Sequence, residues 1–328
     1  MPTCSPPRSR PSERKRDDRE AGAAMSISEG RILTRKAGFS VSEAFGGFRL
    51  WWLVLPAFLF FLAFFLVPVI SLLAISLNKT VPGVVTLTSN FTLDNFVRIF
   101  TRAIYYEAII RSIVIGVVVA AVALVLGYPL AFLIAKTEHP TRNTILMVLV
   151  LSAMQLDMVI RMYGLMVLMG DTGLINSALM WLGITSAPLP LMYNTFGVVV
   201  GLVQVTLPFM VLSLIGIIRA IHPSLEEAAR SLGATRGEAF RKVVLPLSMP
   251  GILAGSLLVF ALSISSYVVP ALMGGWKVVV LPIHIYQQIA EAGRWQFGAA
   301  VAAVLFVTSL IAVFVYHRAA VFTSGGRT

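Results

Sequence analysis

The chain has 328 residues, of which 57% are hydrophobic and only 12% carry a formal charge. A soluble domain has about 25% charged residues, so this composition excludes an ordinary soluble protein and indicates an integral membrane protein. The net charge of +11 fits either a nucleic-acid-binding surface or the topology signal of a membrane protein, and the positions of the charges must separate the two. The single cysteine, Cys4, excludes an intrachain disulfide and a cysteine-cluster metal site.

The first 49 residues form a polar, charge-dense segment without apolar periodicity. Such a composition predicts a disordered tail. No apolar core precedes Leu50, so the segment does not resemble a signal peptide. Met25 is an alternative start that would leave out residues 1–24, and both starts stay open.

Charged residues divide the rest of the chain into apolar runs of about 20 residues, the length that crosses a bilayer. The six predicted spans lie between Arg49 and Lys79, between Arg111 and Lys136, and over about Thr144–Gly170, Thr195–Ile218, Val243–Trp276 and Trp295–His317. Residues 278–290 are apolar at first but too short and too polar to cross. We therefore predict an all-α polytopic protein with six transmembrane helices in residues 50–318 and a short C-terminal tail, residues 319–328.

Orientation follows from the positions of Lys and Arg. Nineteen of them fall in the segments on the side of the two termini, and five fall in the opposite loops. Because cytoplasmic segments carry the excess of Lys and Arg, we predict that both termini are cytoplasmic. The positive net charge is then a topology signal, and no nucleic-acid partner is expected.

The longest predicted cytoplasmic loop, residues 219–247, contains signals for two short helices. Ser224 and Glu227 have the spacing of a capping box, in which two side chains bond the first turn of a helix. Thr235 and Glu238 repeat this spacing and indicate a second helix start.

The first of these helices has an apolar stripe on one face. Gly233 is placed to end the helix. The stripe has the offsets 0, 3, 4 and 7 of a helical face and consists of Leu225, Ala228, Ala229 and Leu232. Because the loop has no core to bury this stripe, it predicts a docking surface for another protein.

A fixed pattern of residues runs through the loop. In chain order it comprises Glu227-Ala228-Ala229, Gly233 and Val243-x-Leu245-Pro246. This pattern resembles the EAA loop of permease subunits from binding-protein-dependent ABC importers. All spacings of the family pattern are kept, and only Val243 differs, standing where the family has Ile. The resemblance implies the type I ABC importer permease fold, in which this loop is the coupling helix. The residues to which it assigns coupling to the ATPase are Glu227, Ala228, Ala229, Gly233, Leu245 and Pro246.

Further stretches resemble the spermidine/putrescine-type permeases of this family. They are Arg161-Met-Tyr163 with Gly173-Leu-Ile-Asn176, Tyr267-Val-Val-Pro270-Ala-Leu-Met-Gly274-Gly275, and Gly127-Tyr128-Pro129. The resemblance implies a polyamine or a similar small solute as substrate, since related permeases also carry iron, thiamine and opines.

Candidate pathway residues lie in the third and fifth predicted spans. Asp157 and Arg161 are four residues apart and so share a helix face. A charge at the bilayer centre costs about 3 kcal/mol on insertion scales, and pairing reduces this cost. The pair either lines the pathway or only locks the helix, and both interpretations stay open. The full candidate set is Asp157, Arg161, Tyr163, Ser266, Tyr267 and Pro270.

One pair of glycines predicts a close helix contact. Gly251 and Gly255 form a GxxxG step at the start of the fifth span, where small residues allow two helices to approach. The partner helix belongs either to a second permease or to the same chain.

The sequence does not contain the chemistry of an enzyme. It has no G-x-x-x-x-G-K-[ST] loop for nucleotide phosphates and no nucleophile with a base, so no catalytic residue is predicted. The four histidines are scattered singly, and no metal site is expected. No cofactor is expected in this chain, because ATP and Mg²⁺ would be bound by the partner ATPase.

The prediction is therefore a translocation subunit in the cytoplasmic (inner) membrane of a bacterium. The expected partners are a second permease, a cytoplasmic ABC ATPase dimer, a periplasmic or extracellular solute-binding protein, and membrane lipid. The resemblance implies that the second permease is a different chain, while the sequence alone also allows a second copy of this chain. The alternative is a stand-alone secondary transporter or channel, which would carry several ionisable residues inside the membrane for ion coupling.

Overall fold

A computed structural model describes residues 47–84 and 91–324. These residues are helical apart from turns and loops, and their only β-type pairing is an isolated bridge between Asn78 and Phe91. The predicted all-α class is confirmed. Nearly all of the predicted N-terminal tail, with Met25, lies outside the described residues, as do the last four residues of the chain.

The chain divides into two units, of which the first ends at Val67. In this unit, α1 (Gly47–Phe61) is followed by a π-helical segment, Leu62–Leu66. Phenylalanine rings four residues apart stack with centroids 4.5 and 4.9 Å apart, in the pairs Phe60–Phe64 and Phe61–Phe65. This spacing brings aromatic side chains together on one helix face.

The second unit begins at Pro68 and contains the main hydrophobic core. Its helices are α2 (Val67–Ser76, from its second residue), α3 (Asp94–Thr101), α4 (Ala103–Lys136), α5 (Pro140–Gln155), α6 (Met158–Met169), α7 (Leu174–Trp181), α8 (Thr195–Ala220), α9 (Pro223–Ser231), α10 (Arg236–Ala239), α11 (Leu245–Leu247), α12 (Met249–Ile264), α13 (Val268–Gly274), α14 (Leu281–Tyr286) and α15 (Trp295–Ser324). Two π-helical segments, Phe240–Val244 and Gln287–Glu291, follow α10 and α14. Helix α15 thus continues six residues past the predicted end of the membrane domain at residue 318.

Several described helices are long and apolar enough to cross a membrane. Five such candidates are Val54–Ser76, Ala103–Lys136, Met158–Trp181, Thr195–Ala220 and Trp295–Tyr316. Two further helices, Arg236–Leu247 and Met249–Ile264, form a sixth candidate if they are taken as one span with a bend of 62°. The described part of the chain therefore agrees with the predicted polytopic architecture.

The third span differs from its predicted bounds. The sequence predicts one helix over Thr144–Gly170, but the chain leaves the helix between α5 and α6. Asp157 causes this break, because its Oδ1 accepts hydrogen bonds from the backbone N–H groups of Val159 (2.8 Å) and Ile160 (3.4 Å). A carboxylate that caps a helix in this way starts a new helix. The candidate span is consequently Met158–Trp181.

The core is built where α4, α8 and α12 pack against one another. A Cβ atom on Gly251 would lie 3.0 Å from Ile217 Cβ, and one on Gly255 would lie 2.8 Å from Met210 Sδ. Both contacts are with α8. The GxxxG step is therefore used for close packing within the chain.

The segment after α6 is held by one buried amide. Asn176 on α7 is fully buried, and its Nδ2 donates to the carbonyl oxygens of Gly170 and Leu189, each at 3.0 Å. Its Oδ1 accepts the backbone N–H of Leu189 at 2.9 Å. One side chain therefore joins both ends of the segment that contains α7.

Residues 278–290 contain the short helix α14 and most of the π-helical segment Gln287–Glu291, and they are not among the candidate spans of the described residues, in agreement with the prediction. Helix α4 holds the start of α14. Ser112 Oγ accepts the backbone N–H of Leu281 at 3.0 Å, and Arg111 Nη1 donates to the carbonyl of Val279 at 3.2 Å.

Candidate functional site

The loop predicted to couple to an ATPase contains the two expected short helices, α9 and α10, but α9 does not begin as predicted. His222 caps it, with Nδ1 accepting the backbone N–H of Ser224 at 3.3 Å and lying 2.7 Å from Ser224 Oγ. Pro223 occupies the first helical position, where a missing N–H costs nothing. The helix therefore starts earlier than the sequence predicts, and the expected capping box of Ser224 and Glu227 does not form.

The end of α9 and the start of α10 follow the prediction. Gly233 lies just beyond α9 with φ of +91°, the left-handed conformation that glycine adopts readily at a helix end. Thr235 and Glu238 form a capping box: Thr235 Oγ1 accepts from the backbone N–H of Glu238 at 3.3 Å, and Glu238 Oε2 accepts from that of Thr235 at 3.0 Å. The hydrogen bond from the Thr235 backbone is the main cause that lowers the pKa of Glu238, and the bond from the Thr235 hydroxyl is the second.

We expect Thr235→Ala to raise the pKa of Glu238 toward its ordinary value, because the hydroxyl bond to the carboxylate is lost while the backbone bond remains. Because the pKa of Glu238 is lowered in the folded state, its carboxylate stabilises the cap at pH values above the ordinary pKa. This stabilisation is lost as the pH falls through the lowered pKa. In Thr235→Ala the cap therefore loses part of its pH dependence. Carboxyl-carbon NMR titration of the protein in nanodiscs measures the shift, with Ser231→Ala on α9 as the control. An unchanged pKa in Thr235→Ala would contradict the assignment.

The apolar stripe on α9 faces outward. Leu225 is 46% exposed and Leu232 is 90% exposed. Glu227 and Ala228 are exposed as well, and Ala229 is half-buried. Leu225, Ala228 and Leu232 are exposed together along one face, and a contiguous apolar patch of this kind is typical of a surface that a partner covers.

The predicted coupling residues fall into two groups. The first group lies on α9 or directly after it: Glu227, Ala228, Ala229 and Gly233. The second group, Leu245 and Pro246, lies in α11 and is half-buried, with Leu245 packed against the main core. The motif thus runs from an exposed helix to a segment anchored in the membrane domain.

Aromatic contacts attach the segment after α10 to helix α4. The ring of Phe240 packs edge-on against those of Tyr128 and Phe132, with centroids 5.8 and 5.4 Å away. Farther along, Tyr128 Oη lies 2.8 Å from Ser248 Oγ in a buried hydrogen bond at the bend before α12. These contacts fix the exit of the loop to the second span.

Polar contacts attach the start of the loop. Lys136 Nζ forms an ion pair with Glu226 Oε1, and the two side chains are 23% and 27% exposed. Arg219 Nη2 donates to Asn143 Oδ1 at 2.9 Å, which joins α8 to α5. The sequence did not indicate these partners, because no spacing rule relates residues that distant helices bring together.

A cleft of about 790 Å³ lies between the end of α4 and the loop helices. Its lining includes the charged residues Lys136, Glu138, Glu226, Glu227, Arg230 and Arg236, together with aromatic and small residues. Positive and negative groups are balanced, so the cleft suits a protein surface with charges of both signs.

The predicted pairing of Asp157 with Arg161 is wrong. Asp157 is exposed and caps α6, and the described residues contain no ion pair between the two side chains. Arg161 is half-buried, and its Nε has no hydrogen-bond partner within the described ranges. The backbone N–H groups of Val159 and Ile160 compete with Arg161 for the carboxylate, which explains why the spacing of four residues wrongly predicted an ion pair. Tyr163 on the same helix is 55% exposed.

The other candidate pathway residues lie where α12 ends and α13 begins. Ser266 Oγ is buried without a hydrogen-bond partner among the described residues, and Pro270 is buried in α13. The ring of Tyr267 stacks on that of Tyr286, with centroids 4.8 Å apart. Tyr286 lies in α14, and the sequence did not indicate it, because residues 278–290 are too short and too polar to cross a membrane.

Helices α6 and α13 pack together across a glycine of α8. A Cβ atom on Gly201 would lie 2.7 Å from Val269 Cγ1 on α13 and 3.5 Å from Met162 Sδ on α6. The structure therefore brings the helices of both candidate groups together, although it does not join the side chains of Arg161 and Tyr267.

Residues 26–321 match the family described as binding-protein-dependent transport system inner membrane component. The chain is 37% identical over 229 residues to the spermidine/putrescine transport system permease protein PotB of Escherichia coli strain K12, which covers 70% of this chain and 82% of that protein. It is 36% identical over 256 residues to the PotB protein of Haemophilus influenzae, with coverage of 78% and 88%.

Similarity also extends to a solved structure. A chain from the crystal structure of a bacterial ABC transporter involved in the import of the acidic polysaccharide alginate superposes with a TM-score of 0.63. The match covers 83% of this chain and 94% of that chain at 18% sequence identity. At this identity the similarity shows a common fold, which is that of type I ABC importer permeases.

Proposed function

Because the chain belongs to the family of binding-protein-dependent transport system inner membrane components, and is thus an ABC importer permease and not an enzyme, we propose that its solute is a polyamine such as spermidine or putrescine. The observation that carries this substrate class is the 37% identity to a spermidine/putrescine permease across 82% of that protein. Family membership favours an importer subunit over a stand-alone secondary transporter or channel.

Coupling to ATP hydrolysis is assigned to the exposed face of α9. Glu227, Ala228 and Ala229 lie on this helix and Gly233 ends it, while Leu232 offers an almost fully exposed apolar side chain. A short amphipathic helix of this kind fits a groove on a partner. The partner is a cytoplasmic ABC ATPase dimer that binds ATP and Mg²⁺, so this chain needs no cofactor of its own.

The solute pathway is assigned to the region around α13, which packs against α6 and whose first turn meets α14 through Tyr267 and Tyr286. The stacked rings of Tyr267 and Tyr286 offer aromatic faces, to which an organic cation is attracted. The exposed carboxylate of Asp157 adds a negative charge at the break before α6. Tyr163 adds an exposed side chain, and the buried Ser266 and Pro270 lie behind the surface at the start of α13.

The assembly proposed around this chain has three further parts. A second, different permease completes the pathway, a periplasmic or extracellular solute-binding protein delivers the solute, and the ATPase dimer drives the transport cycle. Both termini face the cytoplasm, as the excess of Lys and Arg on their side supports.

Purification of the tagged chain from its native membrane tests the proposal. We expect an ABC ATPase and a second permease to copurify. After reconstitution into liposomes with the solute-binding protein, we expect ATP-dependent uptake of labelled spermidine or putrescine, with the neutral sugar trehalose as the control solute. Uptake of both polyamines at the level of protein-free liposomes would overturn the substrate class. Absence of an ATPase from the purified complex would overturn the coupling assignment.

A further inference from the structure

Two adjacent carboxylates on α9 lie in different surroundings. Glu226 is partly buried against the end of α4, with 27% of its side chain exposed, whereas Glu227 is exposed. Neighbouring side chains on an α-helix point about 100° apart, so both carboxylates line the cleft beside α4, but only that of Glu226 is paired with Lys136. The EAA pattern contains Glu227 but not Glu226.

The ion pair of Glu226 joins the ends of two helices. Lys136 is the last residue of α4, and Glu226 lies in the first turn of α9. The C-terminal end of a helix favours a positive charge and the N-terminal end favours a negative one. Each member of the pair is therefore stabilised by its own helix in addition to its partner.

No other ion pair found in residues 47–84 and 91–324 connects separate helices. The second pair, Glu238 with Lys242, joins residues four apart along the chain, and its side chains are 48% and 71% exposed. Since exposed pairs contribute little, this second pair offers a natural control. The pair of Lys136 and Glu226 is the charged contact that fastens α9 itself to the second span.

We propose that this ion pair transmits movement between α9 and the second span, so that Glu226 is a positioning residue for ATP-driven transport while Glu227 faces the ATPase. The proposal rests on the proposed coupling of α9 to an ATPase. When the ATPase moves α9, the paired charges carry the displacement to the end of α4. Without the pair, α9 stays docked but moves partly independently of the membrane domain.

The test uses the complete complex, with permeases, ATPase and solute-binding protein, reconstituted in liposomes. In Glu226→Gln the side chain keeps its size and loses its charge. We expect the ATPase to copurify as before and ATP hydrolysis to continue. We expect the number of spermidine molecules imported per ATP hydrolysed to fall about fivefold or more, the scale of a coupling free energy between sites. The control, Lys242→Gln, leaves this ratio unchanged.

A charge exchange provides a second variant. Lys136→Glu combined with Glu226→Lys restores the pair but places each charge at the unfavourable end of its helix. We therefore expect the imported solute per ATP to lie above that of Lys136→Glu alone and below that of the unsubstituted chain. A double variant no better than Lys136→Glu would contradict the pairing.

Two results with Glu226→Gln would overturn the proposal. An unchanged import ratio would show that the pair does not transmit movement. Loss of the ATPase from the complex would show that Glu226 is a docking contact and not a positioning residue. Failure of the unsubstituted chain to bind any ATPase is a separate result, and it would overturn the proposed function itself.

Discussion

Replacing Glu227 by Lys is expected to abolish recovery of the ATPase with the chain and, with it, ATP-driven import. Glu227 is exposed on the face of α9 assigned to the partner, and its charge is reversed in this variant. The carboxylate of Glu227 is expected to meet a positive group of the ATPase, and lysine would place two positive charges together. Like charges at an interface cost several kcal/mol, so binding weakens by about 100-fold or more. The effect is measured by quantitative copurification of the ATPase from membranes that contain equal amounts of the variant and of the unsubstituted chain.

The control for this prediction is Asp94→Lys. Asp94 is also exposed, and it lies at the start of α3, outside the candidate spans and in a loop predicted to lie on the opposite side of the membrane. ATPase recovery is expected to stay at the level of the unsubstituted chain. Equal recovery of the ATPase with Glu227→Lys and with Asp94→Lys would refute the assignment of α9 as the docking helix.

Asn176→Leu is expected to cause the largest loss of stability. The fully buried amide makes three hydrogen bonds to the backbone of Gly170 and Leu189. Leucine has a similar size but cannot form these hydrogen bonds. Each lost hydrogen bond costs about 1 kcal/mol, so the total loss is about 3 kcal/mol. The apparent melting temperature of the purified protein in detergent measures it.

Ser177→Leu is the matched control, because Ser177 is the exposed neighbour on α7. Its melting temperature is expected to stay close to that of the unsubstituted chain, as is usual for surface substitutions. A shift for Asn176→Leu no larger than that of the control would show that the segment after α6 does not depend on the buried amide.

Local signals were the ones that the sequence predicted well. The capping box of Thr235 and Glu238 and the left-handed Gly233 depend on residues a few positions apart, and both are present. The resemblance to the EAA loop also led to the correct family, because its spacing is fixed over a long stretch.

Competition between neighbouring groups explains the two local failures. A proline next to His222 moved the start of α9, and the cap of Asp157 on α6 removed the partner expected for Arg161. In both places two valid short-range rules applied, and the sequence offered no way to rank them.

Long-range contacts could not be predicted from spacing. Lys136 meets Glu226 only after helices distant in the sequence have packed together, and Tyr267 meets Tyr286 only after the chain has turned back between α13 and α14. Each of these residues is ordinary in its local context. Charge and aromatic character can indicate that a residue has a partner, but the fold decides which partner it is.

The bend of 62° between Arg236–Leu247 and Met249–Ile264 turns the first segment into a lever arm. Its twelve residues would span about 18 Å at the rise of an α-helix, so a sideways displacement of about 3 Å at the far end equals a rotation of about 10° at the bend. Ser248 sits at this pivot and is held to Tyr128 on α4. A small sideways push on this segment thus becomes a torque on α12, which packs against α4 and α8.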